Sequence, residues 1–253
     1  MTARPAPLLK GAGDFFFRFR NALFPVALAV IVLASRPASF PGSRPLNDLL
    51  ASVGAVLALA GQSFRLMVIG YDYIKRGGKD GKVYADNLVT GGFYAACRNP
   101  MYVGNVLIVT GFALAYGSWV SYLFVIPFFL FVYVAITVAE ETYLAARFAA
   151  EYEDYCRRVP RILPRWSALG EALKGSRYDW RKAIRKDYGQ VFQTFGILAG
   201  VGLGRAYTIK GGLSGKSTVF FVVIASASVA FFIVSRFLKK TNRLVSPAPP
   251  RAS

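Results

Sequence analysis

Apolar residues in this chain fall in long, nearly unbroken runs, not in the alternating or three-to-four spacing of a half-buried element. The runs cover about residues 22–34, 46–70, 101–116, 119–139, 191–207 and 219–237. A helix needs about 17–25 predominantly apolar residues to cross a hydrocarbon core. The pattern therefore predicts an all-α fold, a polytopic integral membrane bundle of about six transmembrane helices. Residues 35–45, rich in Pro, Ser and Gly, form a loop by turn chemistry. Only Gly117 and Ser118 separate the third and fourth spans, so short a link that the two must form an antiparallel hairpin. A polar stretch over 71–98 carries Lys75, Arg76, Lys79 and Lys82 and a turn at Gly77-Gly78.

After residue 139 the periodicity changes. Leu144, Phe148, Tyr152, Tyr155 and Val159 recur at spacings of 4, 4, 3 and 4, one apolar-aromatic stripe on a helix that continues out of the fourth span. The organisation expected is two N-terminal spans (1–70), a core with the hairpin (71–165), a basic linker (166–189), two C-terminal spans (190–245) and a disordered Pro-rich tail (246–253). The glycines at 196, 200, 202 and 204 predict close helix packing in the first of the C-terminal spans. The basic residues before position 22 resemble the start of a signal peptide, but no small-x-small cleavage site follows, so a first retained span is expected.

Composition agrees with the pattern: 55% of the residues are hydrophobic. The net charge of +18, from 31 Lys and Arg against 13 Asp and Glu, would suggest nucleic acid on a soluble protein. Here the charges sit between the spans, where positive-inside bias and anionic lipid headgroups account for them, and no nucleic-acid partner is expected. With the N-terminus inside, the inside segments hold four, five, eleven and five basic residues and the outside loops five in all, with Arg65 in a span. That asymmetry places both termini in the cytoplasm, in a bacterial-type inner membrane or an endomembrane. Arg65 reads first as an interfacial anchor and second as a functional contact.

The absence of histidine and the presence of only Cys97 and Cys156 exclude a histidine-box oxidase, a histidine-ligated haem and a conventional zinc site. No metal is expected, and both cysteines are expected as free thiols. The segment GGLSGKST at 211–218 imitates a phosphate-binding loop, but its glycines enclose three residues where that loop needs four.

Chemistry is expected at two polar stretches that abut apolar runs on one side of the membrane, because polar groups there must be satisfied or functional. The first contains Gly91, Gly92, Tyr94 and Arg98-Asn99-Pro100-Met101-Tyr102-x-Gly104; the second contains Glu140-Glu141, Leu144, Phe148, Tyr152, Tyr155 and Val159-Pro160-Arg161. Together they resemble the signature of the isoprenylcysteine carboxyl methyltransferase and phospholipid N-methyltransferase superfamily, over roughly residues 60–165.

That resemblance implies an S-adenosylmethionine-dependent methyltransferase with a cytoplasmic cofactor pocket and a lipophilic acceptor: a phospholipid amine, or the carboxylate or thiol of a prenyl or other hydrophobic substrate. It implies Arg98, Asn99 and Glu141 at the reacting end. Around the cofactor it implies Gly91, Gly92, Tyr94, Pro100, Tyr102, Gly104, Glu140, Tyr152 and Tyr155. Asn99 stands where the carboxyl-methylating branch usually has histidine, and Ala149 where the family often has glycine. Two rivals remain open at this point, an NADPH-dependent membrane sterol-type reductase, whose second motif typically bears histidine, and a non-catalytic membrane scaffold.

Overall fold

The computed structural model describes residues 7–37, 43–71, 76–79, 82–174, 176–210, 212–213 and 215–245. The tail expected to be disordered lies outside the described residues. Among the described residues eight α-helices follow in order: α1 (Pro7–Ala34), α2 (Arg44–Tyr71), α3 (Phe93–Ala96), α4 (Pro100–Tyr116), α5 (Ile126–Arg158), α6 (Trp166–Ala172), α7 (Trp180–Lys210) and α8 (Lys216–Lys240). Between α2 and α3 the chain forms a small antiparallel hairpin of β1 (Arg76–Lys79) and β2 (Lys82–Ala85). The fold is thus helical apart from this hairpin. Gly77 and Gly78, expected as a turn, instead lie within β1, paired with Tyr84 and Val83.

Three helical segments among the described residues are long and apolar enough to cross a membrane: Arg44–Tyr71, Ser121–Arg158 and Lys216–Lys240. The 17-residue α4 is apolar but shorter. Helix α7 reaches the length, but its first half carries Arg181, Lys182, Arg185, Lys186 and Asp187, which lowers its hydropathy. The first helix starts at Pro7, well ahead of its apolar run; proline suits a first helical turn because its missing N–H has no partner there anyway. The early part of α1 lies on α5, with Phe17 buried against Val132 and Ile136.

Helices α2 and α4 cross at close range. Gly54, Ala58 and Gly61 on α2 meet Gly104, Ile108, Gly111 and Ala115 on α4. A Cβ on Gly54 would stand 2.4 Å from the Ala115 nitrogen, and one on Gly111 would stand 2.5 Å from the Ala58 nitrogen. In lipid there is no water-driven force between helices, so small residues that let backbones approach supply the packing attraction. The α7 glycines behave differently: Gly202 receives the Phe221 ring, while Gly200 and Gly204 have nothing within 4 Å. On α7 the expected close packing is therefore seen at Gly202.

The loop from α4 turns at Gly117, whose φ of 71° is left-handed, and passes through a π-turn at Ser121–Val125 into α5. Pro127 follows at once, and the wider turn accommodates the hydrogen bond that proline cannot make.

A buried polar layer fixes α7 to the bundle. Arg65 on α2 donates from Nε to Asp187 Oδ2 at 3.1 Å, from Nη2 to Asp187 Oδ1, and from Nη1 to Asn105 Oδ1 on α4. Gln62 donates to Asp187 at 2.9 Å and accepts from Thr194 at 2.9 Å. Arg65, read first as an interfacial anchor, is an internal counter-ion; its partner lies 122 residues away, so no local pattern could reveal it. The basic segment expected as a linker holds α6 and the start of α7, where Asp179 accepts from Lys182 N at 3.0 Å and caps the helix. Aromatic contacts of Phe232 with Tyr188 and Phe192 seat α8 on α7.

Candidate active site

The two polar stretches meet. Glu141, buried on α5, receives Asn99 Nδ2 at 3.1 Å on one oxygen and Arg161 Nε at 2.9 Å on the other. Arg98 lies across from it, its Nε 3.4 Å from Glu141 Oε1. Asn99 also donates to the Arg161 carbonyl at 3.2 Å. One residue earlier, Glu140 accepts the Tyr102 hydroxyl at 2.7 Å. The tetrad Arg98, Asn99, Glu141 and Arg161 thus comes from three separate segments: the α3–α4 connection, the middle of α5 and the loop after it.

Local structure explains each placement. Gly92 has φ 55° and ψ −132°, which glycine adopts without steric cost, and it starts the short helix α3. Gly91 accepts the Tyr94 N–H at 3.0 Å, and its own Cα faces open space. Pro100 occupies the first turn of α4, where no hydrogen bond is lost, and Asn99 stands immediately before it, leaving its side chain free to reach Glu141. Backbone bonds from Arg98 N to Pro160 O at 2.9 Å and from Arg165 N to Ala96 O at 3.0 Å strap the post-α5 loop onto this turn.

The aromatic stripe converges as the spacing implies, with one interruption. Ala149 has φ 41° and ψ −115°, a kink inside α5 where the family often has glycine. Beyond it, Tyr152, Tyr155 and Val159 still pack with Leu144, now against Ala85 at the end of the β-hairpin. The Tyr155 hydroxyl donates to the Tyr94 carbonyl at 2.7 Å, so Tyr94 and Tyr155 hold the wall through backbone and packing. Tyr94 itself lies with Phe64, Val68 and Phe93, covered by Leu169 of α6 and by Leu173 just after it.

Among the described residues, two buried donors at this site make no hydrogen bond, Arg98 Nε and the Tyr152 hydroxyl. Tyr152 lies beside Glu141, Cys156 and Arg98. Burial pushes the Arg98 pKa down, but the neighbouring Glu141, Cys156 and Tyr152 together outweigh it, and the guanidinium ends above its usual value and fully charged. Two guanidiniums around one carboxylate leave the cluster positive. Burial raises the Cys97 thiol to about 11, against 9.0 in water.

Gly104, expected beside the cofactor, faces α2: a Cβ there would stand 2.6 Å from Arg65 Cγ and 3.0 Å from the Gly61 carbonyl. Sequence reasoning omitted Arg161 from the site, although Val159-Pro160-Arg161 was part of the pattern. An arginine on a basic loop gives no signal by itself, and only its contact with Glu141 distinguishes it from its neighbours.

Residues 50–151 match the phospholipid methyltransferase family. A cobalt-zinc-cadmium resistance protein (CzcN) of Cupriavidus metallidurans is 31% identical over 172 residues, which is 65% of this chain and 73% of that protein. A protein-S-isoprenylcysteine O-methyltransferase of Schizosaccharomyces pombe is 34% identical over 159 residues, 62% of this chain and 61% of the relative. A nickel-cobalt-cadmium resistance protein (NccN) of Alcaligenes xylosoxydans xylosoxydans is 27% identical over 173 residues, 65% of this chain and 72% of its own. No solved structure matches. The chain belongs to the isoprenylcysteine carboxyl methyltransferase and phospholipid N-methyltransferase superfamily of integral membrane proteins.

Proposed function

We propose that this protein is an S-adenosylmethionine-dependent methyltransferase that acts on a lipophilic acceptor at the cytoplasmic face of the membrane. The observation that carries the reading is the Glu141 cluster. Two buried donors beside it, Arg98 Nε and the Tyr152 hydroxyl, make no hydrogen bond among the described residues, as expected of groups that serve a ligand carboxylate.

S-adenosylmethionine supplies an electrophilic methyl on a cationic sulfonium, transferred by in-line displacement. The protein's part is to position and to exclude water. Glu141 holds Arg98, Asn99 and Arg161 in one arrangement, and Arg98 with Tyr152 binds a carboxylate of donor or acceptor. Glu140, fixed by Tyr102, faces the ribose or amino group of the cofactor or takes a proton from an amine acceptor. The aromatic rings of Tyr94, Tyr152 and Tyr155 wall the pocket on the apolar side. Asn99 and Glu141 are in contact, so both stretches lie on one membrane face; the excess of basic residues there supports a cytoplasmic one, with six spans and both termini inside.

Calorimetry of S-adenosylmethionine binding to the detergent-purified protein tests the reading, with Glu140→Ala alongside and radiolabelled methyl transfer into total membrane lipids as the follow-up. Saturable micromolar binding that weakens in the variant is expected. A folded sample that binds nothing at millimolar cofactor rejects it.

A further inference from the structure

Helix α7 touches both α2 and α8, and the splay between those two leaves a cleft of about 560 Å³. That volume is within the range of about 300–1,000 Å³ for small-molecule sites. The cleft lies along the first half of α2, away from the end whose Phe64 and Val68 pack on Tyr94.

Its lining is divided by polarity. Ala55, Leu59, Ala199, Phe221 and Ile224 are among the apolar walls. The polar lining, Asp48, Ser52, Arg205 and Ser217, gathers at one end, where α2 and α8 begin and α7 finishes. This is the distribution of an amphiphile. Because α2 and α8 are membrane-spanning in length and composition, bilayer lipid is the molecule that meets the apolar part.

The head end has a built cation. The Arg205 side chain is 11% exposed, and its counter-ion Asp48 is 79% exposed at 3.3 Å. A guanidinium is always charged and offers five N–H donors. Among the described residues, the contacts to Asn47 O and Asp48 Oδ1 are both made by Nη2. A solvated carboxylate is a weak, screened partner, and a phosphate can take its place with a bidentate geometry.

We propose that this cleft binds one anionic phospholipid of the surrounding bilayer, an acyl chain lying along the apolar walls and the phosphate seated on Arg205. The site is separate from the Glu141 cluster and does not depend on methyl transfer.

The test incubates the detergent-purified full chain with equal amounts of dioleoyl phosphatidylglycerol and dioleoyl phosphatidylcholine and counts retained lipid by native mass spectrometry. The expected result is one phosphatidylglycerol per chain, preferred about fivefold over phosphatidylcholine, the effect of one cation near a headgroup. Arg205→Gln should erase the preference, Arg205→Lys should keep it, and Ala55→Phe should remove retention of both lipids. Asp48→Asn, at an exposed position that does not threaten folding, should strengthen the preference. Equal retention of the two lipids by the wild type overturns the proposal. So do retention indifferent to Asp48→Asn and Ala55→Phe, and a mass of two protein copies without lipid.

Discussion

Arg161 Nε donates to Glu141 Oε2 at 2.9 Å, across a separation of twenty residues that includes the kink at Ala149. Without that bend the straight end of α5 would carry the loop away from Glu141. Glu141 is thus the common partner of three side chains, accepting from Asn99 and Arg161 and pairing in charge with Arg98, so its loss should disturb each of them. Glu141→Gln is expected to lower turnover about a hundredfold, in the range for one preorganised electrostatic group. Arg161→Ala, at a side chain 52% exposed, should cost about tenfold. Radiolabelled methyl transfer with separate kcat and KM checks both, and full turnover in Glu141→Gln would sink the assignment.

Ala149 occupies backbone that glycine tolerates far better. Ala149→Gly should therefore stabilise the protein by about 1 kcal/mol, the order of the steric penalty for a side chain at positive φ. The thermal midpoint in detergent should rise by about 2–4 °C. A fall in the midpoint would show that the kink is not strained.

Arg65 and Asp187 are both buried, their side chains 11% and 4% exposed. Removing one partner leaves an uncompensated charge, and Asp187→Ala is expected to destabilise by about 3–5 kcal/mol. The double variant Arg65→Leu with Asp187→Leu should recover much of that loss, which a double-mutant cycle in denaturant unfolding measures. Additive losses in the cycle would mean that the pair does not couple α7 to α2.

Cys97 is buried, and its pKa is raised from 9.0 to about 11 by that burial. The folded thiol binds a proton that the unfolded chain releases above pH 9, so stability should fall as pH rises between about 9 and 11. At pH 7.5 a maleimide should leave Cys97 unlabelled in the folded protein, and Cys97→Ser should flatten the alkaline loss. Rapid labelling of Cys97 at pH 7.5, followed by peptide mass mapping, would contradict the buried placement.

Much of the architecture was legible because membranes impose coarse rules. Apolar runs gave the bodies of α2, α4, α5 and α8, and the Gly117-Ser118 link gave the hairpin. Proline and glycine gave the turn before α4, and the spacing of Leu144, Tyr152 and Tyr155 gave a face that does pack together. The hairpin of β1 and β2 escaped, since a glycine-rich basic stretch offers no period, and its register comes from pairing partners. The kink at Ala149 escaped as well, because alanine is a strong helix former and signals no bend.

The sequence by itself determined a helical membrane protein, two polar stretches of related chemistry and the family to which they belong, because hydropathy and local residue types are properties of short windows. Tertiary structure alone decided that Arg161 completes the Glu141 cluster, that Gly104 serves a helix crossing, and that Arg65 pairs with Asp187. Each of those depends on where distant segments meet, and a buried charge or a close backbone contact is stable only once its partner arrives.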